Sequence, residues 1–197
     1  GTTTTFFTSL PAITDNVVDL MVRRIRDWDP SVQGVVSLAA SLGNHFDLQT
    51  LEVINDREGA DCRAALRIVA IQGLLVPLAD VSGTGTSKRN RRYRFLHDRV
   101  QQAAYSLIPA ADQPALHLRI GQLLLGTLSP QELEERLFEV VTHLMRGASL
   151  LQGNAERIRF AELTLAAARK AKASSAYEPA LSYVIAGMER LPRNAWQ

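Results

Sequence analysis

The chain has 197 residues, 46% of them hydrophobic, 21% charged and 6% aromatic, with a formal net charge of +2 and a single cysteine, Cys62. That balance supplies the apolar side chains for one large or two small cores and excludes a disordered tail, a collagen-like fibre and a disulfide scaffold. No apolar run approaches the ~18 residues of a membrane-spanning helix, no basic region followed by an apolar run opens the chain, and a lone cysteine gives no reason for an oxidising compartment, so the expected location is the cytoplasm.

Residues 1–9 are threonine-rich and aperiodic and begin without methionine, and residues 1–13 read as a lead-in cut from something longer. From Asp15, the residues Val17, Val18, Met21, Val22, Ile25 and Trp28 form a helical stripe with Arg23, Arg24 and Arg26 off it. Asp29-Pro30 reads as an N-cap followed by proline at the first helical position, opening a second helix through Val32, Val35, Val36, Ala39 and Leu42 that Gly43 stops. Asp47 can cap a short third helix with Leu48, Leu51 and Ile54. A fourth is predicted from about Ala60 to Gln72, with Gly73 where a left-handed C-cap is wanted. Here the period changes. Leu74–Leu78 and Tyr93–Leu96 are short apolar runs on either side of a polar, glycine-bearing loop, the pattern of a two-stranded β-hairpin. Helices followed by a hairpin make a winged helix, predicted over residues 14–109.

Beyond the hairpin the pattern is helical again. Asp98 can cap a helix through Val100, Ala103, Ala104 and Leu107, ended by Pro109, and another spans about Asp112 to Leu125. Ser129-Pro130-Gln131-Glu132 supplies a capping box for a helix that carries Leu133, Leu137, Val140, Val141 and Leu144 and stops at Gly147. Two more are predicted, about Ala155 to Ala173 and Ser175 to Arg190, parted by Ser174. In the last of these Tyr177, Ala180, Gly187 and Pro192 match the second-helix spacing of a tetratricopeptide repeat (TPR), while Ala168 and Ala171 depart from the first-helix pattern. The expected architecture is therefore mainly α: a winged-helix domain with one small hairpin, then antiparallel helical pairs of a TPR-like superhelix over 110–197, truncated at its end.

Several chemistries are missing. The glycines of Gly83-Thr84-Gly85-Thr86-Ser87-Lys88 stand too close together for a nucleotide-binding phosphate loop. No nucleophile elbow or Cys/His cluster occurs, and His45, His97, His117 and His143 are spaced without ligand logic. No catalytic residue, no metal and no cofactor bound by this segment alone is expected.

His97-Asp98 is the constellation to single out. It lies where the second hairpin strand becomes a helix, so Asp98 can cap the helix while the imidazole projects beside backbone N–H groups that favour an anion. The plainer alternative makes Asp98 a cap and His97 a packing residue. The basic run offers a second candidate, with Lys88, Arg89, Arg91 and Arg92 as phosphate or nucleic-acid contacts on the wing of a DNA-binding winged helix. Against it, the helix before the hairpin presents Asp61, Arg63, Arg67 and Gln72 among apolar residues and lacks the side chains that read base edges. A near balance of 22 basic and 20 acidic residues likewise argues against nucleic acid as the partner.

At Phe95-Leu96-His97-Asp98-Arg99-Val100-Gln101-Gln102-Ala103-Ala104-Tyr105-Ser106-Leu107-Ile108-Pro109 the sequence resembles the region that follows the nucleotide-binding domain in large bacterial signalling proteins of the STAND ATPase class. Leu38–Leu48, Gln72–Leu78, Leu116–Gly121 and Ala168–Ser174 fit the same resemblance. Those proteins join a serine/threonine kinase-like domain, a P-loop ATPase, a helical-repeat region, a GAF domain and a sensor histidine kinase of a two-component system. The resemblance implies a regulatory segment that is not itself an enzyme. In that class the winged helix packs on the ATPase, and a histidine at the junction of wing and helix reaches the phosphate of bound ADP. Only His97 matches that position. Asp98 completes the His-Asp motif of nucleotide-binding immune receptors, and Leu96 replaces their usual methionine. The implied ligands are ATP or ADP, reached through an upstream nucleotide-binding domain in cis, and a partner protein on the helical array. Two alternatives stand beside this: a DNA-binding winged-helix transcriptional regulator with a helical effector domain, and a structural scaffold without a ligand of its own.

Overall fold

The computed structural model describes residues 10–55, 61–78 and 91–192. The chain divides into two compact units, Gly1–Pro109 and Ala110–Gln197. Among the described residues it is mainly helical, with one small antiparallel sheet.

The first unit begins with α1 (Leu10–Arg26), α2 (Pro30–Leu42), β1 (His45–Asp47), α3 (Leu48–Ile54) and α4 (Cys62–Ile71). α1 starts ahead of the expected Asp15, because Pro11 sits in the first turn, where a missing N–H costs no hydrogen bond. Asp29 accepts from the Ser31 amide at 2.8 Å to open α2, and Asp47 accepts from the Thr50 amide at 2.6 Å to open α3. α4 closes in a Schellman motif: Gly73, at φ 73°, donates to the Ala70 carbonyl, and Leu74 donates to that of Val69. That left-handed turn points the chain into β2 (Leu75–Leu78), which pairs antiparallel with β3 (Arg92–Phe95), so both predicted strands form.

The sheet has a third strand that the periodicity did not reveal. β1 pairs antiparallel with β3, which becomes the central strand in the order β1-β3-β2. Phe46 stands opposite Tyr93, their rings stacked at 5.8 Å, and lies 5.7 Å from the Phe95 ring. Burial of such aromatic pairs stabilises a short sheet beyond its backbone bonds. Pro77 lies in β2, an edge strand. Leu96 donates to the Leu74 carbonyl, so Pro77 and Tyr93 form a non-hydrogen-bonded pair, and the N–H that proline lacks would have faced the open edge. After β3 comes α5 (Asp98–Tyr105), whose Val100, Ala103 and Ala104 are buried. Gln101 on α5 donates to the Ala40 carbonyl at 2.6 Å, tying α5 to α2. Ile25, Val36, Leu51, Leu66, Val69 and Phe95 complete the core, each fully buried.

The second unit comprises α6 (Gln113–Thr127), α7 (Pro130–Glu135), α8 (Leu137–Gly147), a 3-10 turn (Ala148–Leu150), α9 (Asn154–Ala173) and α10 (Tyr177–Arg190). The capping box forms as predicted, with Ser129 and Glu132 bonded reciprocally. The single helix expected to run from it to Gly147 is instead broken at Arg136. α7 buries no residue and its Glu134 carbonyl accepts from Lys170 of α9, whereas α8 buries Leu137, Val140, Val141 and Leu144. α6 and α8 lie antiparallel in close contact. A Cβ on Gly147 would fall 2.6 Å from the Leu118 Cβ and 2.7 Å from the Leu118 backbone nitrogen, and one on Gly121 would fall 2.6 Å from Leu144. α9 and α10 form a second antiparallel pair, with Gly187 against Thr164 and Ala161. Ser175, at φ 60°, makes the turn between them. Phe138 stacks on Tyr183 at 5.8 Å under the Lys170 ammonium.

Candidate functional site

β3 alternates. Tyr93 and Phe95 turn into the core, while Arg92 and Arg94 lie on the other face, in register with Asp47 and His45 of β1. The Phe95 amide donates to the Asn44 carbonyl at 2.9 Å and that of Leu96 to the Leu74 carbonyl at 3.0 Å, so both neighbours grip the strand to its last residue. The chain then passes through His97, extended at φ −141° and ψ 146°, and enters α5.

The helix begins one residue earlier than Asp98 as a cap would require. His97 occupies the N-cap position and its carbonyl accepts from Val100 at 2.9 Å, while Asp98 is the first helical residue. Its carboxylate in the first turn meets the positive end of the helix dipole. The His97 side chain makes no capping bond, and both side chains are exposed. An exposed imidazole thus stands beside first-turn amides that have no partner within the helix.

Arg91 and Arg92 are exposed on the approach to this junction, and the Arg91 carbonyl accepts from Leu48 at 2.9 Å. Lys88 and Arg89 lie outside the described residues. Arg94 closes the basic run of the sequence and Asn44 carries no sequence signal, yet the Arg94 Nε and the Asn44 Oδ1 are buried with no hydrogen-bond partner among the described residues. Such atoms typically cost ~1–3 kcal/mol each. No motif announces them: Asn44 stands just before β1 and Arg94 on the central strand, and both residues are half-buried.

A second cluster lies in the other unit and joins two histidines that the sequence reading treated as unrelated. His117 on α6 and His143 on α8 are 1% and 5% exposed, with their Nδ1 atoms 2.9 Å apart. The Arg146 Nη1 lies 3.3 Å from the His117 Nε2. The legible signal was a shared spacing: each histidine precedes a glycine, Gly121 or Gly147, by one helical turn, which puts ring and gap on one face. Among the described residues no group of three or more His, Cys, Asp or Glu side chains could hold a metal ion.

No protein-family profile matches the chain and no solved structure matches it. It is similar to the hybrid signal transduction histidine kinase G of Dictyostelium discoideum, 26% identical over 206 residues, a stretch covering 83% of this chain and 6% of that protein. The chain is thus similar to a small segment of a far longer signal-transduction kinase.

Proposed function

We propose that the first unit is a winged helix, that the second is the start of a TPR-like array, and that the chain is a non-catalytic regulatory segment of a multidomain signalling protein. In this reading the winged helix senses the nucleotide state of a P-loop domain in the same polypeptide and passes it to the helical array, which receives a partner protein. The observation that carries the reading is the exposed His97 at the strand-to-helix junction, free of any capping bond and beside the first-turn amides of α5. An ADP phosphate presented by an adjoining domain would accept from the imidazole and from those amides. Arg92 and Arg94, on the strand leading to His97, carry the sign of charge such a ligand needs. Similarity to a segment of a signal-transduction kinase supports the signalling context. ADP would hold a closed state through His97, and exchange for ATP would release it.

In the full-length protein, His97→Ala should speed ADP dissociation by about tenfold or more, the equivalent of one lost charge-assisted hydrogen bond of ~1.5–3 kcal/mol. Unchanged ADP dissociation removes His97 from the site. The DNA-binding alternative draws on the exposed Arg91 and Arg92. It requires a salt-dependent gel shift that disappears when Lys88, Arg89, Arg91 and Arg92 are neutralised. α4 weighs against it: on its solvent side Arg67 stands beside the apolar Ile68 and Ile71, the latter 77% exposed, while Arg63 is engaged by Glu52 at 3.0 Å and Gln72 by Arg24 at 2.7 Å.

A further inference from the structure

We propose that the partner received by the helical array is a second copy of this chain, which seats its own α9 and α10 on the uncovered face of this pair and closes an antiparallel four-helix bundle. The proposal rests on the reading of the second unit as a partner-binding array, and it begins from apolar side chains that nothing among the described residues covers. On α10, Tyr177, Leu181, Ile185 and Met188 recur at intervals of four, four and three residues, which puts them on one helix face over ~16 Å. All four are exposed, Leu181 and Met188 by 60% and 65%. On α9, Ile158 and Leu165, two turns apart, are exposed as well. Single apolar residues are ordinary on a surface, whereas six gathered on one side of a helix pair mark an interface.

The seam between the two helices shows that they are so gathered. It runs along Ala161 and Thr164 of α9 and Gly187 of α10. At about 100° per residue, Ile158 and Leu165 fall on one side of that seam, and the buried Phe160, Leu163 and Ala167 on the other. On α10, Gly187 likewise separates the exposed stripe from Tyr183, whose ring stacks on Phe138 of α8. The six apolar residues therefore line one shallow groove turned away from α8.

Heights along the groove are set by the same seam. Gly187 stands against Ala161 and Thr164, and α9 ends at Ala173 where α10 begins at Tyr177, so Ile185 is level with Leu165, Glu178 with Lys172, and Glu189 with Ala161. A twofold axis parallel to the helices keeps every height and lays α9 of the second copy antiparallel on α10 of the first. Leu165 and Ile185 from both copies then form one apolar layer. Glu178, exposed on the edge of α10 far from α9, comes beside Lys172 and, one turn on, Arg169 of the second copy, both exposed. Glu189, on the same edge, comes beside Arg159 of the second copy, a residue that also holds Glu162 at 3.3 Å within its own helix. A partner for this groove must bring a basic edge to α10, and the α9–α10 pair itself does so at matching heights. Pairing α10 directly with α10 across a perpendicular twofold would instead set Glu178 against Glu189, which like charge disfavours.

Sedimentation of the whole 197-residue chain from about 1 to 100 µM should show a monomer–dimer equilibrium. Leu181→Glu combined with Ile185→Glu should leave a monomer over that range with an unchanged thermal unfolding curve, since both side chains are exposed. Glu178→Arg should weaken the dimer about tenfold, because the twofold meets the substitution twice. Adding Arg169→Glu and Lys172→Glu to it should restore most of the lost affinity. A wild-type chain that stays monomeric at the highest concentration overturns the proposal, and so does a dimer that survives the paired glutamates. Charge reversal without rescue overturns the bundle. None of these readouts involves ADP, so a failed dimer and a failed nucleotide contact at His97 are told apart.

Discussion

Asp29, Asp47 and Asp61 each place a carboxylate on the first free amides of a helix; the first two precede an apolar stripe and make α2 and α3 legible without coordinates, whereas α4, expected from about Ala60, starts at Cys62 behind the Asp61 cap. Asp47 bonds both the amide and the hydroxyl of Thr50, at 2.6 and 2.7 Å, and also ends β1. Asp47→Ala should therefore destabilise the first unit by ~1 kcal/mol or more in a urea titration. Ser175 presents the opposite case. It holds a left-handed conformation, φ 60°, to close α9, with Ala176 donating to the Ala171 carbonyl. A side chain there costs roughly 1 kcal/mol that glycine does not. Ser175→Gly should raise the melting temperature of the second unit by about 4–8 °C, and a fall would show that the serine supplies a contact worth more than the strain.

At the scale of elements, the glycines of the second unit divide by what surrounds them. Gly147→Ala drives a methyl into the Leu118 backbone, which has no rotamer to escape with, so a loss of ~1–3 kcal/mol or more is expected, with α6 and α8 forced apart. Gly126→Ala on the same helix as Gly121 meets nothing within 4 Å, and should gain ~0.5–1 kcal/mol from helix propensity alone. Chemical denaturation of the two variants side by side checks both signs. The elements that sequence reasoning missed share a cause. β1 spans three residues, too few for a period of two to register, and exists because β3 presents its free edge to it. The break at Arg136 follows a turn without buried side chains, whose composition reads as helix on either side. Periodicity reports the faces of long elements, and both features are settled by partners far along the chain.

At the scale of the molecule, each of the two units carries buried residues enough for a core of its own. Residues 110–197 and residues 1–109, expressed apart, should each unfold in a single cooperative transition in a urea titration. A fragment that melts without one would show that its core is completed by the other. The change from helices to hairpin and back to helices was readable from period alone, and so was the position of His97 at the junction of strand and helix. The pairing of His117 with His143 was not, because 26 residues separate them and only the antiparallel packing of α6 on α8 brings the rings together. The same holds for Arg94 and Asn44, ordinary polar residues in the sequence whose buried atoms only the folded chain reveals.

Pro77 gives the sheet a property that belongs to its rim. Its ring occupies the outward position where another chain would seek a backbone donor, and the opposite rim is only three residues long. Foreign strands therefore find no continuous ladder on either flank, which guards the protein against runaway self-assembly through β-pairing. A protein partner of this unit would bind through side chains rather than by adding a strand.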